Sequence, residues 1–96
     1  MSVYFVANIR IHDQEEYGKY LASVDDVFAK FNGKYLALDE HPSVLEGVWD
    51  CTKVVLIEFS SEKELLAWYE SEDYQKILKY RLGGAHCDAV LVHGKA

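Results

Sequence analysis

The 96-residue chain is long enough for one small core and too short for two, since independent domains usually need roughly 100 residues each. Half of its residues are hydrophobic and 14 % are aromatic, which excludes intrinsic disorder, while its apolar runs, such as Val54 to Ile57, fall far short of the ~20 residues a spanning helix needs. A net charge of −6 with ten scattered basic residues speaks against a nucleic-acid partner, whose phosphates call for clustered Lys and Arg.

Val3 to Ile11 alternates, with Val3, Phe5, Ala7, Ile9 and Ile11 on one face and Tyr4, Val6, Asn8, Arg10 and His12 on the other, which predicts a strand. Asp13 and Glu16 have capping-box spacing, and Tyr17, Tyr20, Leu21, Val24, Val27, Phe28 and Phe31 follow at helical spacing. One long amphipathic helix is expected, stopped by Asn32-Gly33 in a left-handed turn. Lys34 to Glu40 reads as a second strand, His41-Pro42-Ser43 as a turn, and Ser43 to Trp49 as further extended chain. Thr52 to Ser60 carries a run apolar on both faces and suits a central strand. Ser61 with Glu64 opens a short helix through Trp68 and Tyr69. Ser71-Glu72-Asp73 starts another, with Tyr74, Ile77, Leu78 and Arg81 on one face, ending at Gly83-Gly84. Cys87 to His93 supplies the last strand.

The order strand, helix, strand, strand, helix, strand predicts a single α+β domain over residues 1–96, a ferredoxin-like βαββαβ sandwich with an antiparallel sheet. Its first and third strands are expected as neighbours running parallel. Helices then cover one sheet face only, and the other, whether it carries the odd or the even positions of each strand, remains apolar at several residues, since Phe5, Ala7 and Ile9 are opposed by Tyr4 and Val6, and Ala89 and Leu91 by Val90 and Val92. A second copy of the chain is the expected cover, giving a self-complementary homodimer. Cys51 and Cys87 stand outside any CxxC or Cys/His ligand spacing, and no basic segment followed by an apolar run opens the chain. Reduced thiols in the cytoplasm, with no membrane partner, no structural metal and no disulfide, are the reading. RNA-recognition domains share this element order, but Lys53 to Phe59 offers a single aromatic with the Glu58 carboxylate beside it, a poor base-stacking strand.

Three segments together are fairly specific: Val44-Leu45-Glu46-Gly47-Val48-Trp49, then Val54 to Ser60, then Ala67-Trp68-Tyr69-Glu70-Ser71-Glu72-Asp73-Tyr74 with Arg81. With them nearly the whole chain resembles a bacterial family of uncharacterised domains, of unknown function, within the dimeric α/β-barrel superfamily. The resemblance implies a ferredoxin-like fold and a dimer whose two sheets face one another. It implies no activity, because the superfamily holds monooxygenases, isomerases, dehalogenases, haem-degrading enzymes and non-catalytic members, and fold does not choose among them. The chain departs from the family pattern at Ala37 to Pro42, where relatives carry an Arg-Gly-Gly type turn.

Each candidate group carries a structural and a functional reading. With the first and third strands as parallel neighbours, Asn8 and Arg10 should stand level with Leu56 and Glu58, so that Arg10 and Glu58 meet either as an ion pair or as a polar patch with Glu58 as proton acceptor. Glu46, in a segment suited to burial, either pairs with a cation or serves as the second acid of a pair with Glu58. Arg81 shares an apolar helix face, so its guanidinium must snorkel outward, meet a carboxylate, or anchor a substrate carboxylate in a cleft. Tyr20, Trp68 and Tyr69 are packing aromatics or the walls of a small-molecule pocket. His12, at the end of the first strand, is either a surface residue or the histidine best placed for catalysis. Haem-degrading relatives pair a strand Asn and a helical Trp with an iron-ligating His. Asn8 and Trp68 have such positions, but Ile77 and Leu78 occupy the helix turn where that His would stand.

Two functions follow from these residues. One is a pocket between sheet and helices for a small apolar or aromatic organic acid, in which Glu58, Glu46, Arg10 and His12 are the catalytic candidates and Asn8, Tyr20, Trp68, Tyr69 and Arg81 the binding candidates, with no cofactor. The other is a non-catalytic dimeric interaction or scaffold module.

Overall fold

The computed structural model describes residues 1–95, and among these it contains four strands and three helices: β1 (Val3–Ile11), α1 (Gln14–Phe28), β2 (Lys34–Asp39), β3 (Lys53–Phe59), α2 (Glu62–Tyr69), α3 (Glu72–Gly84) and β4 (Ala85–His93). Strand order is β2-β3-β1-β4, and every neighbouring pair is antiparallel. This is the ferredoxin-like arrangement, and within one chain the sheet is open.

The expected parallel pairing of the first and third strands is wrong. A helical crossover restores the strand direction, so β2 runs with β1, and the following reversal turns β3 against it. The register accordingly sets Tyr4 opposite Glu58 and Asn8 opposite Val54, which puts Arg10 and Glu58 at opposite ends of the sheet.

The capping signals are realised. The Asp13 side chain accepts from the Glu16 N–H, Ser61 from that of Glu64, and Ser71 from that of Tyr74, each satisfying an N-terminal donor of its helix. The end of α1 differs from expectation. Among the described residues no non-glycine residue has positive φ and Gly47 alone of the glycines does, so Gly33 is not a left-handed cap. The chain instead leaves α1 through tighter turns, with Lys30 N–H donating to Val27 and Phe31 N–H to Phe28. Gly33 serves close packing: a Cβ there would lie 2.5 Å from the Phe28 ring and 2.6 Å from that of Phe59. Gly84 likewise lets α3 approach the start of α1, where a Cβ would fall 2.6 Å from the Tyr17 nitrogen. Its carbonyl accepts from both His12 and Asp13.

Alternation in β1 and β3 sorts the sheet into two faces. Val3, Phe5, Ala7 and Ile9, with Val55, Ile57 and Phe59, are buried under the helices. Trp68 stands at the centre of this layer, with its ring 5.2 Å from Phe5, 5.8 Å from Phe28, 5.5 Å from Phe59 and 4.4 Å from Tyr74. The other face bears Val6, Val54 and Leu56, half-buried, and Val90 and Val92, exposed. No helix among the described residues covers it, and the Cα extents of 34 × 32 × 15 Å are those of a slab one helical layer thick. Ser43 to Trp49 forms no strand; it is part of an exposed loop in which Leu45 and Val48 are each 94 % exposed. No helix among the described residues is long and apolar enough to cross a membrane.

Candidate functional site

The helix-covered layer is not filled along its whole length. Between α1, α3 and the β2–β3–β1 part of the sheet lies a cavity of about 260 Å³. The sheet contributes Phe5, Ile9, Val55 and Ile57, and α1 contributes Tyr17, Tyr20 and Val24. Trp68 and Arg81 come from α2 and α3. The exposed lining residues Leu21, Asp25 and Leu38 mark its mouth, between α1 and β2.

Two lining residues are cations, and both are buried: Arg81 is 3 % exposed and Lys53 7 %. Among the described residues neither forms an ion pair with a carboxylate. They rest on rings instead. The Arg81 guanidinium carbon is 5.9 Å from the centre of Phe5 and 6.0 Å from that of Tyr20, and Lys53 Nζ is 5.3 Å from that of Tyr17. Such contacts contribute about 0.5–2 kcal/mol each, less than the several kcal/mol that taking an ion out of water costs. Two buried donors at the same cavity, Arg81 Nε and Trp68 Nε1, also lack a hydrogen-bond partner, an uncommon condition for buried N–H groups.

The surrounding hydroxyls are neutral. Burial pushes Tyr17 and Tyr35 each up to about 12 and also raises Tyr20, where Tyr74 adds to the effect. Tyr20 and Tyr74 share a buried hydrogen bond of 2.8 Å between their hydroxyls. Burial lowers the Lys53 amine below its ordinary value, against the opposing pull of Glu40 and Asp25. The cavity is therefore an apolar, aromatic-walled space with net positive lining, suited chemically to an anion with an apolar body.

The cavity brings Tyr20, Trp68 and Arg81 together and leaves the other candidates outside. Tyr69 packs on Trp68 and Tyr74 but borders a separate groove with Leu65, Leu66 and the β4 residues Ala89 to Leu91. Asn8 sits on the uncovered face of the sheet, with its side-chain oxygen buried and without a partner. The contact anticipated between Arg10 and Glu58 does not form. Arg10 pairs with Asp88 at 3.0 Å and donates to the Asp50 carbonyl at 3.4 Å, while Glu58 accepts a long 3.5 Å bond from the Tyr4 hydroxyl. Glu46, expected in a segment suited to burial, is exposed on the β2–β3 loop. It borders a shallow hollow with Pro42, Trp49 and Val54, away from Glu58. His12 is exposed, its ring 5.1 Å from that of His86 across the ends of β1 and β4. Arg81 does not snorkel outward, and among the described residues it meets no carboxylate.

Lys53 was not among the candidates drawn from the sequence. The signal was present: it lies in phase with Val55, Ile57 and Phe59, so the alternation that buries those residues buries it too. Among the described residues no group of three or more His, Cys, Asp or Glu side chains is placed to hold a metal ion.

The fold is shared with solved structures at low identity. A protein of unknown function from Rhodopseudomonas palustris is similar with a TM-score of 0.79 at 16 % identity, over 99 % of this chain and 83 % of that one. SnoaB, a cofactor-independent oxygenase from Streptomyces nogalater, gives 0.67 at 13 % identity, over 99 % and 94 %. A dimeric ferredoxin-like protein of unknown function from Thermobifida fusca gives 0.67 at 14 % identity, over 98 % and 92 %. No curated protein matches. Residues 2–95 match the model of the family described as domain of unknown function, DUF1330, and the chain belongs to that family.

Proposed function

We propose that the cavity binds a small organic acid with an aromatic or apolar body, one in each subunit of a homodimer. The observation that carries this reading is the pair of buried cations, Arg81 and Lys53, lining one aromatic-walled space with neither in an ion pair among the described residues. Buried charges ordinarily have partners, and hydrophobic residues of similar size in their place are often neutral or stabilising. An anionic ligand supplies the partner. The planar guanidinium of Arg81 matches a carboxylate bidentately, and the unpaired Arg81 Nε and Trp68 Nε1 are donors for its oxygens. A volume of about 260 Å³ lies just below the ~300–1,000 Å³ of typical ligand pockets, which favours a single-ring acid. Glu58, Glu46, Arg10 and His12 stand outside the cavity, and we assign them no role in it.

The homodimer rests on the uncovered sheet face. Val6, Leu56, Val90 and Val92 form an apolar surface that soluble monomers rarely leave open, and a two-fold copy presents the same surface in return. The dimeric state of the Thermobifida fusca protein supports the same arrangement. Light scattering at micromolar concentration is expected to return twice the 11.0 kDa chain mass, and Leu56→Asp, which sets two carboxylates against this face, to return a single chain mass. A monomer mass for the unaltered protein would remove the dimer. The free thiols of Cys51 and Cys87 support a reducing, cytoplasmic setting.

One observation favours the rival reading of a non-catalytic interaction module: the exposure of Leu45 and Val48 on the β2–β3 loop. A thermal-shift screen of aromatic and short-chain acids separates the two. A ligand at 100 times its dissociation constant adds about 2.7 kcal/mol of stability, whereas the interaction module gives flat shifts throughout.

A further inference from the structure

Lys53 differs from every other lysine of the described residues. The others are exposed, whereas Lys53 opens β3 on the helix-covered face and lines the cavity, and its amine contacts the face of the Tyr17 ring. The charged groups around it are Asp25, exposed at the cavity mouth on α1, Glu40 just beyond β2, and Arg81 on α3, and it forms no ion pair with either carboxylate. An amine in an apolar pocket is in an environment that turns lysine into a nucleophile, because the low polarity favours the neutral form and here outweighs the opposing pull of Glu40 and Asp25. Burial lowers this amine in the direction that supports such a role.

We propose that Lys53 forms a reversible imine with a small oxo acid whose carboxylate is held by Arg81 and whose aromatic or apolar tail lies among Tyr17, Tyr20 and Trp68. This rests on the reading of the cavity as an acid-binding site and adds the carbonyl group to the ligand. In the step, the neutral Nζ attacks the carbonyl carbon and a C–N bond forms. The two amine protons leave with the carbonyl oxygen as one water molecule, and the C=N bond of the imine remains. No oxidant or reductant takes part, and hydrolysis returns both reactants. The electron-withdrawing imine would then sit in the same cavity as the Arg81 guanidinium, among aromatic side chains, where the neutral tyrosine hydroxyls are the available proton carriers.

Trapping tests the proposal. The protein is incubated at neutral pH with phenylpyruvate or with benzoylpropanoate, cyanoborohydride is added to reduce any imine, and peptide mass spectrometry locates the adduct. A parallel thermal-shift series uses hydrocinnamate, an acid of similar size without the carbonyl. The expected result is an adduct concentrated on Lys53 with at least one of the oxo acids, lost when hydrocinnamate is in excess and lost in Lys53→Met. The melting temperature of Lys53→Met reports that the variant is folded, and an adduct suppressed in the wild type by hydrocinnamate supports the proposal without any variant. If hydrocinnamate raises the melting temperature but neither oxo acid marks Lys53, the imine is overturned and the acid site stands. Adducts spread over the exposed lysines and indifferent to hydrocinnamate overturn it equally. If neither hydrocinnamate nor the oxo acids shift the melting temperature and no adduct forms on Lys53, the cavity reading falls and the imine with it.

Discussion

The two sides of Trp68 are built from the same kinds of residue and end in opposite states. On one side Phe28, Phe59 and Tyr74 close around the indole with ring centres 4.4–5.8 Å away, and Gly33 is kept small so that two of those rings can meet the turn after α1. On the other side Tyr17 and Tyr20 of α1 and Tyr35 of β2 border about 260 Å³ of space that Arg81 and Lys53 also line. Aromatic content alone does not distinguish a core from a pocket. The difference lies in the polar groups: the filled side has its hydrophobic surfaces matched, while the hollow side holds two buried cations without an ion pair and two buried donors, Arg81 Nε and Trp68 Nε1, without an acceptor among the described residues. Such a side costs stability, and sites that bind ligands are where proteins retain that cost.

Substitutions on each side should therefore act with opposite sign. Trp68→Ala removes the centre of the filled side and is expected to lower stability by about 3–5 kcal/mol, the range for large aromatic deletions in a core, as read from a denaturant midpoint shift without a change of slope. A loss under 1 kcal/mol would mean that the layer is loosely packed throughout. On the hollow side Lys53→Met is expected to raise stability at neutral pH by roughly 1 kcal/mol, the low end of the ~1–4 seen when buried charges give way to hydrophobic residues, because a ring contact is lost with the charge. The pH dependence fixes the cause. With the folded amine held below the ordinary lysine value, the unfolded chain binds more protons between the two. The wild type therefore gains stability as pH rises through the folded value towards the unfolded one. The advantage of Lys53→Met should be full below that window and fade within it. A constant advantage across alkaline pH would assign it to packing.

How much of this was legible depends on which physical signal a feature uses. Strand β1, the three helix starts and the break at Ser71 follow from period and capping chemistry, which are local and act within a few residues. The direction of β3 is a matter of counting reversals, and reading it as parallel to β1 misplaced Glu58 beside Arg10. The loop at Ser43 to Trp49 has strand-like composition in Val44, Leu45 and Val48, yet no neighbouring strand pairs with it, and composition cannot report a missing partner. Lys53 was masked by its company, because the run Val54 to Ile57 reads as apolar on both faces and draws attention from the charged residue that opens it. Arg81 was visible as a charge on an apolar helix face. Its lack of a carboxylate was not, since that depends on every other element at once.

Whether Arg81 is kept for a ligand or for the fold is read from the stability of the wild type and of Arg81→Met, each with and without saturating hydrocinnamate. If the guanidinium is an unpaired buried charge awaiting an anion, the variant without ligand is more stable than the wild type, by roughly 1–4 kcal/mol on the scale of buried-charge replacements. The acid then stabilises the wild type by about 2.7 kcal/mol at 100 times its dissociation constant and leaves the variant unmoved. A variant less stable than the wild type, or one that responds to the acid as the wild type does, would contradict the account.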